Sequence, residues 1–203
     1  GDNYELPNMS AYCETCAAIA NVYWNYRLFL LHGESKYFDI LERTLFNGVI
    51  SSTSLSGDRF FYPNPLESIG QHNRSAWFGC ACCPSNVCRF MPSVPGYVYA
   101  QKDDKLYVNL FVESESEITI AKNPVHITQK TGYPWYGDVK ISVTPTKARK
   151  FTMMVRVPGW AKNQPVPGDL YTYLNPDNSV VKLKINGKET AYQIGEDGYI
   201  ALN

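Results

Sequence analysis

The stretch Trp77–Ala100, WFGCACCPSNVCRFMPSVPGYVYA, joins two parts of different character. Its first half holds Cys80, Cys82, Cys83 and Cys88, four of the six cysteines in the chain. Pro84 suits the first turn of a short helix running through Phe90. That places Cys82 and Cys83 at the helix entrance, where the dipole and the free N–H groups favour a thiolate. Pro92 and Pro95 then punctuate the chain, and GYVYAQ opens a series of strands. A boundary near Met91–Pro95 therefore separates a helical part from a β part.

Upstream, AYCETCAAIANVYWNYRLFLL from Ala11 to Leu31 is rich in helix formers and apolar on more than one side. It predicts a largely buried helix ended by Gly33. Ser35 can cap a second helix in which Phe38, Leu41, Leu45 and Phe46 form an apolar stripe before Gly48 closes it, giving a helical hairpin. SSTSLSGDRFFYPNPLES then predicts a short β-hairpin or an ordered loop. Downstream, KLYVNLFV, SEITIA, VHITQK, DVKISVTP, FTMMVRVP, VVKLKING and GYIALN read as strands, with turns at Asp103-Asp104 and Asn186-Gly187. Many short strands at this spacing predict an antiparallel β-sandwich.

The 203 residues are 44% apolar, enough for a globular core. Nineteen basic and nineteen acidic residues cancel, which argues against nucleic-acid and anionic-membrane partners. No apolar run is long enough to span a bilayer, and the opening GDNYELPNMS lacks a signal-peptide pattern. The opening without Met and the ending on a strand-like GYIALN lead us to expect a piece of a longer protein. The compartment stays open between cytoplasmic and periplasmic or extracellular, and the oligomeric state is not written in the sequence.

Adjacent thiols at Cys82 and Cys83 do not easily bridge to each other, so metal ligation or reactivity is the better reading. Candidate ligands are Cys13, Glu14 and Cys16 together with Cys80, Cys82 and Cys83. C-x-x-C spacing favours Cys13 with Cys16, but the second half is C-x-C-C, so spacing does not choose the four. Cys88 reads as a buried small hydrophobe. A thiolate nucleophile is the second candidate chemistry. Of the three histidines, His32 ends a helix, His126 sits in a strand, and His72 reads as surface or pocket lining before general base. Carboxylates for acid–base work are Glu5, Glu14, Glu42, Asp58 and Glu67, and Phe60, Phe61, Tyr62, Trp77 and Phe78 read as core before sugar pocket.

YELPNMSAYCETCAAIANVYWNYRLFLLHGESKYFDILERTLFNGVISSTSLSGDRFFYPNPLES, WFGCACCPSNVCRF, FTMMVRVPGWA and VKLKINGK together resemble the β-L-arabinofuranosidases of glycoside hydrolase family 127 and close relatives. The resemblance implies an α+β fragment: residues 1–93 as the last helices of an (α/α)6 catalytic barrel, and residues 94–203 as an incomplete antiparallel β-sandwich. It implies a retaining, zinc-dependent hydrolase acting on β-L-arabinofuranosides or a related plant-derived sugar. By motif, Glu14, Cys16, Cys82 and Cys83 become zinc ligands, with Cys82 also the nucleophile, which sets aside the spacing preference for Cys13. Glu42 and Tyr62 fall in motifs that face the substrate. The family's acid/base glutamate has no match here, being expected upstream of Gly1, so this chain alone should be inactive. A rival reading is a non-catalytic, zinc-stapled structural module with a carbohydrate-binding β-sandwich.

Overall fold

The computed structural model describes residues 5, 7–177 and 179–203, so Tyr4 and Leu6 of the YELPN stretch lie outside the described residues. The chain divides into two compact units, one comprising the residues up to His32 with Ile40–Val94, the other Gly33–Asp39 with Pro95–Asn203.

In the first unit, helix α1 spans Thr15–His32, starting later than the sequence pattern suggested. Thr15, Ile19, Val22, Asn25 and Phe29 form one buried stripe at helical spacing, packed on the turns Leu45–Val49 and on α3, Cys82–Phe90. The expectation of a helix buried on more than one side is corrected: Trp24, Leu30 and Leu31 are exposed. Helix α2, Ser35–Thr44, buries Phe38 and Leu41. Gly48 does not close it. The chain winds on through a π-helical turn, Leu45–Val49, and a 3-10 turn, Ile50–Ser52. A Cβ at Gly48 would stand 3.0 Å from the Ala18 Cβ, so this glycine serves a close approach to α1 rather than a helix end.

The segment after Ser52 is an ordered loop, stitched by isolated bridges Thr53↔Phe60, Phe60↔Ser75 and Glu14↔Pro63. It leads to α3, whose buried face carries Cys83, Pro84, Val87 and Phe90. Phe90 meets the edge of Tyr23 at 5.4 Å between ring centroids. Cys88 is on the outer face and exposed, so its reading as a buried hydrophobe is corrected by the helical period.

The second unit holds strands β1 (Tyr99–Lys102), β2 (Lys105–Val108), β3 (Ser114–Ile120), β4 (Asn123–Thr131), β5 (Val139–Pro145), β6 (Thr152–Arg156), β7 (Lys184–Ile185), β8 (Lys188–Glu189) and β9 (Tyr199–Leu202). Sheets β1-β2-β6-β9 and β3-β4-β5 face each other across a shared core that includes Leu106, Val108, Phe111, Ile120, Val125 and Ile127. Along β3, β4 and β5, inward and outward residues alternate, as one-sided burial requires. The wholly antiparallel expectation is corrected at one pair: β2 and β6 run parallel. The chain leaves β2, builds the entire β3-β4-β5 sheet and returns, and a crossover of that length permits parallel pairing. Asn186 and Gly187 both adopt positive φ in the two-residue β7–β8 hairpin, as the Asn-Gly pair predicted.

The amino-terminal half of α2 belongs to this unit. Arg156 is fully buried, donating from Nη1 to Asp39 Oδ1 at 2.8 Å and from Nε to the Asn109 carbonyl at 2.6 Å. Asp39 Oδ1 also accepts the Gly159 N–H at 3.1 Å, and the Ser35 N–H donates to the Asp197 carbonyl at 2.7 Å. Among the described residues, no helix is long and apolar enough to cross a membrane.

Candidate metal centre

Glu14 is the last residue before α1, in a segment whose backbone bridges Pro63. Cys16 follows in the first turn of α1, while Cys82 and Cys83 open α3. The packing of α3 on α1 brings the four together. One ligand atom from each of Glu14, Cys16, Cys82 and Cys83 lies within 4.8 Å of the others. Cys16 Sγ and Cys83 Sγ are 3.6 Å apart, Cys82 Sγ and Cys83 Sγ 3.7 Å, and Cys82 Sγ and Glu14 Oε1 3.7 Å. None of the six cysteines is in a disulfide.

These separations suit a cation. A tetrahedral ion with sulfur ligands at about 2.3 Å sets those sulfurs about 3.8 Å apart, so the thiols are already spaced like the edges of such a tetrahedron. Burial, reinforced by the neighbouring Cys16 and Cys82 thiols, pushes the Cys83 thiol well above its ordinary value. Three thiolates and a carboxylate at this spacing repel one another unless a positive charge lies among them. The donor set therefore fits a soft divalent ion such as zinc.

Cys13 and Cys80 stand outside this group, as do Glu42, Asp58 and Glu67. Glu42 is only 5% exposed on α2, so it is not a surface residue. Asp58 is at the surface, in a cluster with Ser54 and Ser56 whose hydrogen bonds, Ser56 foremost, hold its carboxyl low. His72 presents Nε2 to the Pro63 carbonyl at 2.8 Å and stacks on Phe61, so it braces the Phe61–Pro63 backbone. His126, on β4, lies between Glu115 and Glu117 in the other unit.

Tyr62 stands next to the cluster. Its phenol is pushed above its usual value by the nearby Tyr12 side chain first, then by desolvation and the negative charges of Glu14 and Cys82. Its ring meets Tyr12 at 6.2 Å and Phe78 at 5.8 Å, both edge-on. Tyr12 was not singled out from the sequence. Ser85, Asn86 and Arg89 were also passed over; with Cys16 and Cys82 they line an open depression of about 350 Å³.

A family model described as β-L-arabinofuranosidase, GH127 catalytic domain, matches residues 1–96. A second, the GH127 middle domain, matches residues 105–203. A non-reducing end β-L-arabinofuranosidase of Bifidobacterium longum subsp. longum is 32% identical over 98% of this chain and 30% of its own length. A solved GH127 β-arabinofuranosidase superposes with a TM-score of 0.95 at 55% identity, covering 100% of this chain and 32% of that one. A GH127 β-L-arabinofuranosidase from Geobacillus stearothermophilus T6 gives a TM-score of 0.85 at 36% identity, covering 100% of this chain and 31% of that one. The chain thus spans about a third of the length of these relatives.

Proposed function

Because the chain belongs to the β-L-arabinofuranosidase family GH127, we propose that it is part of a retaining, zinc-dependent glycoside hydrolase acting on β-L-arabinofuranosides or a related plant-derived sugar. The observation that carries this reading is the cluster of three thiols and one carboxylate, with ligand atoms within 4.8 Å of one another. Glu14, Cys16, Cys82 and Cys83 would hold the ion. Residues 1–93 would be the carboxyl-terminal part of an (α/α)6 barrel, and residues 94–203 a sandwich region completed by further chain.

Cys82 is the nucleophile in this reading. It borders the open depression with Cys16, whereas Cys83 is buried, so Cys82 is the thiol at the helix entrance that a sugar reaches. Its sulfur bonds to the anomeric carbon as the glycosidic carbon–oxygen bond breaks. The departing oxygen takes a proton from a carboxylic acid supplied by chain outside these residues. Water then attacks the same carbon, giving a proton to that carboxylate, and the carbon–sulfur bond breaks to return the thiolate. Two displacements at one carbon retain its configuration, a thiolate replacing the usual nucleophilic carboxylate. Zinc, when bound, keeps the thiols deprotonated and makes sulfur a better leaving group. Glu42 and Tyr62 would contact sugar hydroxyls.

Two measurements test the proposal. Elemental analysis of the purified chain should give one zinc per molecule, lost in Cys16→Ser and in Cys83→Ser. In the full-length protein, Cys82→Ala should abolish release of arabinose from β-L-arabinofuranosides. The chain alone should give no turnover. A Cys82→Ala protein that still hydrolyses the substrate would overturn the assignment of Cys82 as nucleophile.

A further inference from the structure

The turn that joins β4 to β5 carries aromatic rings into solvent. Trp135 is 87% exposed and Tyr136 73%, while Tyr133 at the start of the turn is half-buried. Tyr133 meets the core ring of Phe111 edge-on at 5.6 Å and stacks on Trp160 at 6.3 Å, with 28° between the planes. A file of rings therefore runs from the sheet core to the surface. Trp160 belongs to the 3-10 turn Gly159–Lys162 and is 46% exposed, so it stacks on Tyr133 and still meets solvent.

The backbone fixes where these rings point. The Trp135 and Tyr136 N–H groups both donate to the Gly132 carbonyl, at 3.0 and 3.1 Å. The Thr131 hydroxyl donates to the Asp138 carbonyl at 2.7 Å and accepts the Tyr133 N–H at 3.1 Å, closing the base of the turn. The Tyr136 ring lies against Gly132, where a Cβ would stand 2.6 Å from Tyr136 Cδ2. The turn that carries Trp160 is tied by the Gln164 N–H to the Gly159 carbonyl at 2.9 Å. Rings held this way lose little entropy when a ligand covers them. An exposed apolar surface presented in this manner marks an interaction site.

The chemistry of the tip selects the ligand. Between Gly132 and Asp138 the apolar side chains are Tyr133, Pro134, Trp135 and Tyr136, with no leucine, isoleucine or valine and no basic residue. A protein or lipid partner would draw on aliphatic side chains, and an anionic glycan would need a cation. The electron-rich faces of aromatic rings instead suit the polarised C–H faces of sugars, and the exposed Asp138 carboxylate offers acceptors for their hydroxyls. We propose that Trp135, Tyr136 and Trp160 form a carbohydrate-binding platform on the sheet unit, stacking on the sugar rings of an uncharged plant polysaccharide. The choice of a carbohydrate rests on the hydrolase reading above. The platform holds the polymer and takes no part in bond cleavage.

The test compares the full-length protein with its Trp135→Ala and Trp135→Phe variants. In affinity electrophoresis through gels containing soluble arabinan, the wild type should be retarded. Trp135→Ala should need about tenfold more polysaccharide for the same retardation, the scale of one lost stacking ring, and Trp135→Phe about threefold more. Hydrolysis of a small aryl β-L-arabinofuranoside should keep its kcat and KM in both variants. Hydroxyl-radical footprinting read by mass spectrometry should oxidise Trp135 rapidly, and arabinan should slow that oxidation. If Trp135→Ala lowers the melting temperature, Trp135→Phe, which keeps a ring in place, carries the comparison. A wild type that is not retarded, variants retarded like the wild type, or a Trp135 protected before arabinan is added overturns the platform; the last result would mean that other parts of the protein cover the tip. Hydrolysis of the aryl glycoside without arabinan binding removes the platform alone. Binding through Trp135 without any hydrolysis removes the hydrolase reading and leaves the platform.

Discussion

Cys83 and Cys88 share a helix and differ by five positions, which sets them about 140° apart around its axis. Cys83 is fully buried between α3 and its neighbours, whereas Cys88 is exposed. Cys83→Ser in the metal-free chain should therefore cost about 1–3 kcal/mol, since a hydroxyl replaces a sulfur in a dry position. Cys88→Ser should fall within about 0.5 kcal/mol of the parent. Urea unfolding of both variants under reducing conditions checks this, and equal costs would contradict the assigned faces. The reading of Cys88 as buried followed the general habit of cysteine and did not project it on the helix. Pro84 was more informative: it marked the helix start and so placed Cys82 and Cys83 at the entrance, where they are found. Glu14 had no such local signal. It stood among the candidate ligands with Cys13 and Cys16, but its position depends on a bridge to Pro63, forty-nine positions away in the sequence, and only the resemblance to a family preferred it to Cys13.

At the scale of elements, local chemistry wrote the hairpins and tertiary demands wrote the exceptions. Asn186-Gly187 named its own turn. Ala121-Lys122, which turns β3 into β4 with both residues at positive φ, carries no glycine or asparagine signal, and sequence reasoning placed the start of β4 two residues late. Gly48 misled in the opposite sense, since its composition suggested a helix end while its use is proximity to Ala18. Gly48→Ala should destabilise the chain by about 1–2 kcal/mol, despite the better helix propensity of alanine, because two methyl groups would meet at overly short range. Thermal unfolding is the check, and a stabilised variant would show that the helix can shift at no cost. The Asp39–Arg156 pair was also invisible to local pattern, its members lying 117 residues apart. Its two partners are held by further hydrogen bonds to Gly159 and Asn109, so neither can turn to solvent without breaking more than the pair.

For the molecule as a whole, the division into two units predicts two separable unfolding transitions. Trp24 and Trp77 report on the unit with the thiol cluster, Trp135 and Trp160 on the unit with the sheets. If zinc occupies the cluster, it binds only the folded first unit and adds stability by mass action, about 2.7 kcal/mol at a free concentration one hundred times its dissociation constant. Chelation should then lower the transition seen by Trp24 and Trp77 and leave the other in place. Asp39→Ala should do the reverse. It strands the buried Arg156 charge without its carboxylate, a loss of about 3–5 kcal/mol in the sheet unit. Variants carrying tryptophan in one unit only, with phenylalanine at the other two positions, would isolate each signal in thermal scans. Movement of both transitions together under either treatment would mean that α2, which begins in one unit and ends in the other, binds them into a single cooperative block. Independent movement would mean that the helix carries no such coupling, and that the metal-thiolate centre and the sheet core keep separate stabilities within one chain.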